Sequence, residues 1–192
     1  MKQIIIFGNE QTNLNMAFFD SSWFIGIWAG FISSVLFLVF IYILRPRIKI
    51  SPQISKSTKA GKTVYQIKIV NKSFFKVIDI HFELTLMHPM GEPKGRGLKM
   101  KRIQLKADKL WYISARDTFI RKSEYAPFAV RVIILEDLEQ VWNQEEDFLD
   151  FKIIAKHGFS GFNKVIRERF NHNSCIIDGE FENGTSMVIQ PN

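Results

Sequence analysis

Apolar and polar positions follow two different rules along this chain, and the rule changes at one point. Residues 23–44 read WFIGIWAGFISSVLFLVFIYIL, twenty-two residues without a charge, and Arg45, Pro46 and Arg47 follow at once. At 1.5 Å per residue such a helix is roughly 33 Å long, enough to cross the hydrocarbon core of a bilayer. Apolar on every face, it reads as a membrane span and not as a core helix. Its length, its late start and the Arg-Pro-Arg that follows argue against a cleaved signal peptide.

Beyond residue 46 the apolar period drops to two, with β-branched and aromatic enrichment. Alternation is clearest in VYQIKIV at 64–70 and in VIDIHFELTL at 77–86. Further strands are expected near 47–52, 100–105, 110–114, 128–135, 151–156, 175–181 and 187–189. Turn signals fall at 59–61, 71–73, 88–97 and at Asn183-Gly184. Residues 138–149 leave room for one or two helical turns. Short strands at this spacing predict a β-sandwich. The expected fold is therefore mainly β: one N-terminal transmembrane helix plus an antiparallel β-sandwich. Residues 1–22 form an extracytoplasmic segment, 23–44 the span and 46–192 the sandwich domain.

Charge fixes the expected orientation. Residues 1–22 hold a single basic residue, Lys2, whereas Arg45, Arg47, Lys49, Lys56, Lys59 and Lys62 follow the span. The positive-inside bias puts the N-terminus outside and the C-terminal domain in the cytoplasm of a bacterial inner membrane. Trp23, Trp28 and Tyr42 suit interfacial anchors, and Asp20, Ser21 and Ser22 offer N-cap oxygens. A lone cysteine, Cys175, rules out an internal disulfide and agrees with a reducing compartment. The sequons Asn71-Lys72-Ser73 and Asn183-Gly184-Thr185 have no use there.

Within the span, Gly26, Gly30, Ser33 and Phe37 recur at helical spacing, so they share one face. Small residues there let helix backbones approach, which points to self-association, with Ser33 and Ser34 facing partners or water. The plainer reading is an anchor that happens to contain glycine and serine.

The remaining charge is unevenly spread. Residues 45–122 hold 19 Lys and Arg against 5 Asp and Glu; residues 123–192 hold 6 against 12. The densest basic stretch is residues 94–109, with Lys94, Arg96, Lys99, Lys101, Arg102, Lys106 and Lys109 interleaved with glycines. Three readings stay open. The stretch can bind the phosphates of a nucleotide or oligonucleotide, meet the acidic residues 136–150 of a second copy, or attract anionic headgroups. Catalysis has little support. His81, His88, His157 and His172 make no metal-ligand spacing with each other or with Cys175, and no phosphate-binding loop, GxSxG or HExxH motif occurs. Neither an enzyme nor a cofactor is expected.

The block YQIKIVNKS at 65–73, with VIDI at 77–80 and the strand through Leu86, resembles the immunoglobulin-like cytoplasmic domain of inward-rectifier potassium channels. This chain has one span where those channels have two, and it lacks their TVGYG-like filter. In size, order of parts and charge it also resembles the small membrane effectors of bacterial antiphage systems, Hailong-type systems above all. That resemblance implies a homo-oligomeric pore, a tetramer being one such ring, gated by a nucleotide or short oligonucleotide made by a partner enzyme. On it, Ser33 and Ser34 would line the lumen, Phe37 would form an apolar constriction, and the basic stretch would take the ligand. The alternative is a non-conducting anchor that presents a β-sandwich to another protein.

Overall fold

The structure is a computed structural model, and it describes residues 22–59, 61–92, 95–116, 126–171 and 173–191. The expected N-terminal segment with Asp20 and Ser21, Lys94, His172 and the side chains of Ser22 and Arg96 lie outside the described residues. The chain divides into two compact units, Met1–Ile43 and Leu44–Asn192. In the first, helix α1 (Ser22–Ile43) is long and apolar enough to cross a membrane, and its apolar window has no burial within the protein.

The second unit is mainly β and forms two sheets around one core. In chain order its strands are β1 (Ile48–Ile50), β2 (Ile54–Lys59), β3 (Lys62–Asn71), β4 (Val77–Glu92), β5 (Gly95–Ile103), β6 (Lys109–Ile113), β7 (Ala129–Ile134), β8 (Phe148–His157), β9 (Asn163–Phe170), β10 (Ile176–Asp178), β11 (Glu180–Phe181) and β12 (Ile189–Gln190). One sheet centres on β3, which pairs with β1 and β2 and with β7; β10 adds to β2 in parallel. The other centres on β4, flanked by β5 and β6 and by β8, with β9 beyond. Apart from the β2–β10 pair, both sheets are antiparallel. Tyr65, Ile67, Ile69, Val132 and Ile134 from the first face Phe82, Leu84, Phe151, Ile153 and Phe170 from the second in a single buried cluster. This is the expected sandwich.

Three local details differ from the simple pattern. Alternation through residues 77–86 would turn Val77 outward, yet Val77 and Ile80 are both fully buried. A bulge between Ile78 and His81, with Asp79 at φ 48°, resets the register so that both point inward. The stretch 88–97, expected as a turn, instead forms the paired arms of a long β4–β5 hairpin, in register from Leu84↔Ile103 to Glu92↔Gly95. Its glycines tempt a turn reading, but β4 continues past β8, whose pairing stops at Met87↔Phe148. Strand β2, not expected from its Ser and Lys content, is supplied by pairing with β3.

Helix α2 (Leu138–Val141) is one turn, capped by Asp137, whose carboxylate accepts from the Glu139 amide and from the Tyr65 hydroxyl at 2.9 Å. Leu138 and Trp142 plug the core beneath it. Asn71 is fully buried: its amide donates to the Phe75 and Ser114 carbonyls and its oxygen accepts from the Ser73 amide. It organises the turn between the sheets and has no free nitrogen for a glycan.

The C-terminal β11–β12 hairpin covers the outer face of the β3 sheet. Gly179, at φ 135°, enables it: an added Cβ would lie 2.0 Å from the Gln190 carbonyl oxygen. Gly61 also has a positive φ, 74°, but no atom lies near its missing Cβ. Gly179→Ala should therefore cost more than about 2 kcal/mol, from clash and strain together, and Gly61→Ala only about 1 kcal/mol. Urea unfolding of the detergent-solubilised variants measures both, and equal losses would contradict the hairpin packing.

Candidate functional site

The sandwich has two poles. β3 runs toward the pole that holds Leu44, and β4 runs away from it. Along β4, Val77 and His88 are separated by about 36 Å at 3.3 Å per residue. The arm at residues 95–103 lies on the far half, whereas Lys109 pairs with His81 on the near half. Lys99 pairs with His88 and Lys101 with Leu86, whose side chain faces the core side; Arg102 pairs with Thr85 and faces the opposite side. Lys101 is bound to Glu136 at 3.0 Å, Arg102 to Asp108 at 3.6 Å and Lys109 to Asp79 at 3.2 Å. Lys109 also sits over the Trp111 ring. Lys99 and Lys106 are exposed. The sequence places these cations in one run; the strand period splits them between two faces and the fold gives three of them a carboxylate.

In α1, Gly26, Gly30, Ser33 and Phe37 do share a face at helical spacing, and Phe37 is exposed. The Ser34 hydroxyl donates to the Gly30 carbonyl at 2.8 Å. That back-bond satisfies the hydroxyl within its own helix, as an apolar surrounding demands.

A cation pair that the sequence does not advertise lies under the C-terminal hairpin. Lys68 on β3 and Arg131 on β7 are cross-strand neighbours on the outer face. Like charges directly opposite are destabilising, and Lys68 is only 1% exposed. Its ammonium donates to the Glu182 carbonyl and lies over the Phe181 ring. Arg131 donates to the Phe181 carbonyl at 2.6 Å and to Asn183 Oδ1 at 3.0 Å, with Glu180 3.8 Å away. A groove of about 270 Å³ opens beside the pair, bounded by Ala126, Ala129, Asn183 and Gly184. Beneath the hairpin, Ser57 Oγ and Gln66 Oε1 are buried with no hydrogen-bond partner. The sequence signal was faint: charged residues in two apolar strands, joined only by register.

A second grouping pairs a serine with a histidine. The Ser160 hydroxyl lies 3.1 Å from His157 Nδ1, but that nitrogen also accepts the Ser160 amide and the hydroxyl donates to the Leu44 carbonyl. His157 is buried, and burial lowers its affinity for a proton. Among the described residues no carboxylate orients the ring. The pair closes the β8–β9 turn. Burial also pushes the Cys175 thiol up to about 11, which leaves it unreactive. No cluster of His, Cys, Asp and Glu able to hold a metal occurs among the described residues.

No protein-family model and no curated protein matches the chain. Among solved structures, the crystal structure of the periplasmic chaperone SfaE is similar over 76% of this chain and 60% of its own, with 11% identity and a TM-score of 0.37. A likeness at that level assigns neither family nor function.

The Lys68 ammonium provides a test of the hairpin contact. Its ordinary value of 10.5 is lowered to about 8, first by burial and then by the neighbouring Arg131 charge. Between those two values the unfolded chain holds a proton that the folded chain has released. Stability should therefore rise as pH climbs from about 8 toward 10.5, by on the order of 1–3 kcal/mol. Lys68→Met should flatten this rise, read as the difference in urea midpoint between variant and wild type across that range. Parallel pH profiles would mean that the ammonium is solvated.

Proposed function

We propose that this chain is a homo-oligomeric membrane pore whose β unit responds to a polyanionic ligand, a nucleotide or short oligonucleotide supplied by a partner enzyme. The observation that carries the reading is the grip of the β unit on the residues immediately after α1. Leu44 is 8% exposed and Pro46 is buried. The Arg47 amide donates to Ser73 Oγ at 2.8 Å, and the Arg47 carbonyl accepts from the Lys72 amide at 2.6 Å. Leu44 follows Ile43 directly in the chain, so in this reading ligand binding on the β unit acts on the end of the helix. One helix cannot line a pore, so several copies assemble around the face with Gly26, Gly30 and Ser33, and Phe37 forms a constriction that closes by dewetting. The β unit lies in the cytoplasm, by the basic residues that follow the span.

The ligand surface in this reading is the distal hairpin with Lys99, Lys101 and Arg102, together with Lys106 just beyond β5. Its exposed ion pairs are no obstacle, since such pairs contribute about 0–1 kcal/mol each and a polyanion displaces the carboxylates. The second reading, a non-conducting anchor for another protein, draws on the same hairpin, where Met90, Leu98 and Met100 are 45%, 53% and 66% exposed.

Reconstituted in vesicles, the full-length protein should pass ions, and Gly30→Leu should abolish both conductance and oligomer by holding the backbones apart. Short single-stranded oligonucleotides should change the conductance at low salt and lose affinity steeply as salt rises. Joint replacement of Lys99, Lys101 and Arg102 by Ala should remove that response and leave basal conductance intact. Silent vesicles holding correctly inserted protein would favour the anchor. A response unchanged in the triple variant would move the ligand elsewhere on the β unit.

A further inference from the structure

The pole of the β unit that holds Leu44 has an unusual surface. Three segments converge there: residues 44–49, the β3–β4 turn at 71–76 and the β8–β9 turn at 156–164. Hydrogen bonds tie them together, from the Ser160 hydroxyl to the Leu44 carbonyl, the Arg47 amide to Ser73 and the Gly158 amide to the Lys76 carbonyl. The last contact is close enough that a Cβ on Gly158 would lie 2.6 Å from that carbonyl oxygen. Phe74, Phe159, Phe162 and Phe75 project from these turns with 76%, 65%, 42% and 40% of their surface exposed. Phe75 and Phe159 stack at 5.2 Å. The same three segments contain seven Lys and Arg and no Asp or Glu.

Exposed aromatic rings set among cations match the chemistry of a bilayer's interfacial layer, where rings sit at headgroup depth and anionic lipids attract basic side chains. Covalent geometry supplies the location. The Cα of Leu44 is 3.8 Å from that of Ile43, the last residue of α1. If α1 crosses the membrane, this pole is held at the membrane surface. We propose that it rests on the bilayer, with Phe74 and Phe159 inserted at headgroup depth and the surrounding cations on anionic headgroups. The proposal rests on reading α1 as a span; it does not require a pore or a nucleotide. In it, the distal hairpin, with Lys99, Lys101 and Arg102, lies at the pole away from the membrane and is free for other partners.

The test uses the full-length protein in a Cys175→Ser background, reconstituted in phosphatidylcholine vesicles containing phosphatidylglycerol. Single cysteines are introduced as Phe74→Cys and Phe159→Cys, with Thr58→Cys as control. Thr58 is exposed and pairs with Thr63, beside the β2–β3 turn at the opposite pole. Each carries an environment-sensitive fluorophore. Probes at 74 and 159 should emit at shorter wavelength than the control. Lipids spin-labelled just below the headgroup should quench them several-fold more strongly, and quenching should deepen as the phosphatidylglycerol fraction rises. Water-exposed emission at both positions overturns the proposal. Shielded emission without lipid quenching also overturns it, in favour of a contact between copies of the chain. Release of the protein by alkaline carbonate would sink the span reading and the docking with it. Retention with water-exposed probes would sink the docking alone.

Discussion

The inner faces of β3 and β4 are packed against each other in different sheets, and most of the β unit's arrangement follows from that contact. Tyr65, Ile67 and Ile69 must meet Phe82, Leu84 and the β8 residues Phe151 and Ile153 to leave water. The two strands are consecutive, so the chain crosses between sheets in the short turn at 72–76. β3 then has to arrive at the pole where β4 departs. β1, β8 and β9 are in register with these strands, so the segment after α1 and the β8–β9 turn fall at that same pole. The 16 residues of β4 exceed what β8 can cover, and the surplus becomes the projecting hairpin. Two surfaces of different chemistry are thereby separated, one aromatic and basic, the other basic with methionine and leucine.

The outer face of the β3 sheet poses the opposite problem. A sheet covered on both sides leaves polar side chains of the second face without water, and Ser55, Ser57, Gln66 and Lys68 are all in that position. The C-terminal hairpin answers part of the demand with main-chain oxygens: Gly179 accepts from Ser55, Glu182 from Lys68 and Phe181 from Arg131. Carbonyls satisfy a buried ammonium's hydrogen bonding without neutralising it, and burial together with the Arg131 charge leaves its proton weakly held.

Charge counted along the chain misrepresents charge in space. Seven cations in residues 94–109 suggest a continuous patch, but a strand turns alternate side chains to opposite faces, Glu136 and Asp79 arrive from other segments, and Asp108 pairs with Arg102 from within the stretch. Cations spread over three distant segments, each modest in the sequence, meet instead at the Leu44 pole because three turns end there.

The sequence by itself determined the features that depend on local pattern. Twenty-two uncharged residues dictate a helix that water cannot solvate. Period-two alternation dictates strands with one buried face, and from these the mainly β class and the two-sheet core were legible. The face shared by Gly26, Gly30, Ser33 and Phe37 needs only helical geometry. Tertiary structure decided everything set by which strands become neighbours. Strand β2 exists because β3 offers it a ladder; the bulge at Asp79 exists because Val77 and Ile80 are both needed in the core. Lys68 meets Arg131, and Phe75 stacks on Phe159, through register across 63 and 84 residues of chain. A side chain's periodicity is set by its own backbone, but its partners are set by where the other strands must lie to close the core.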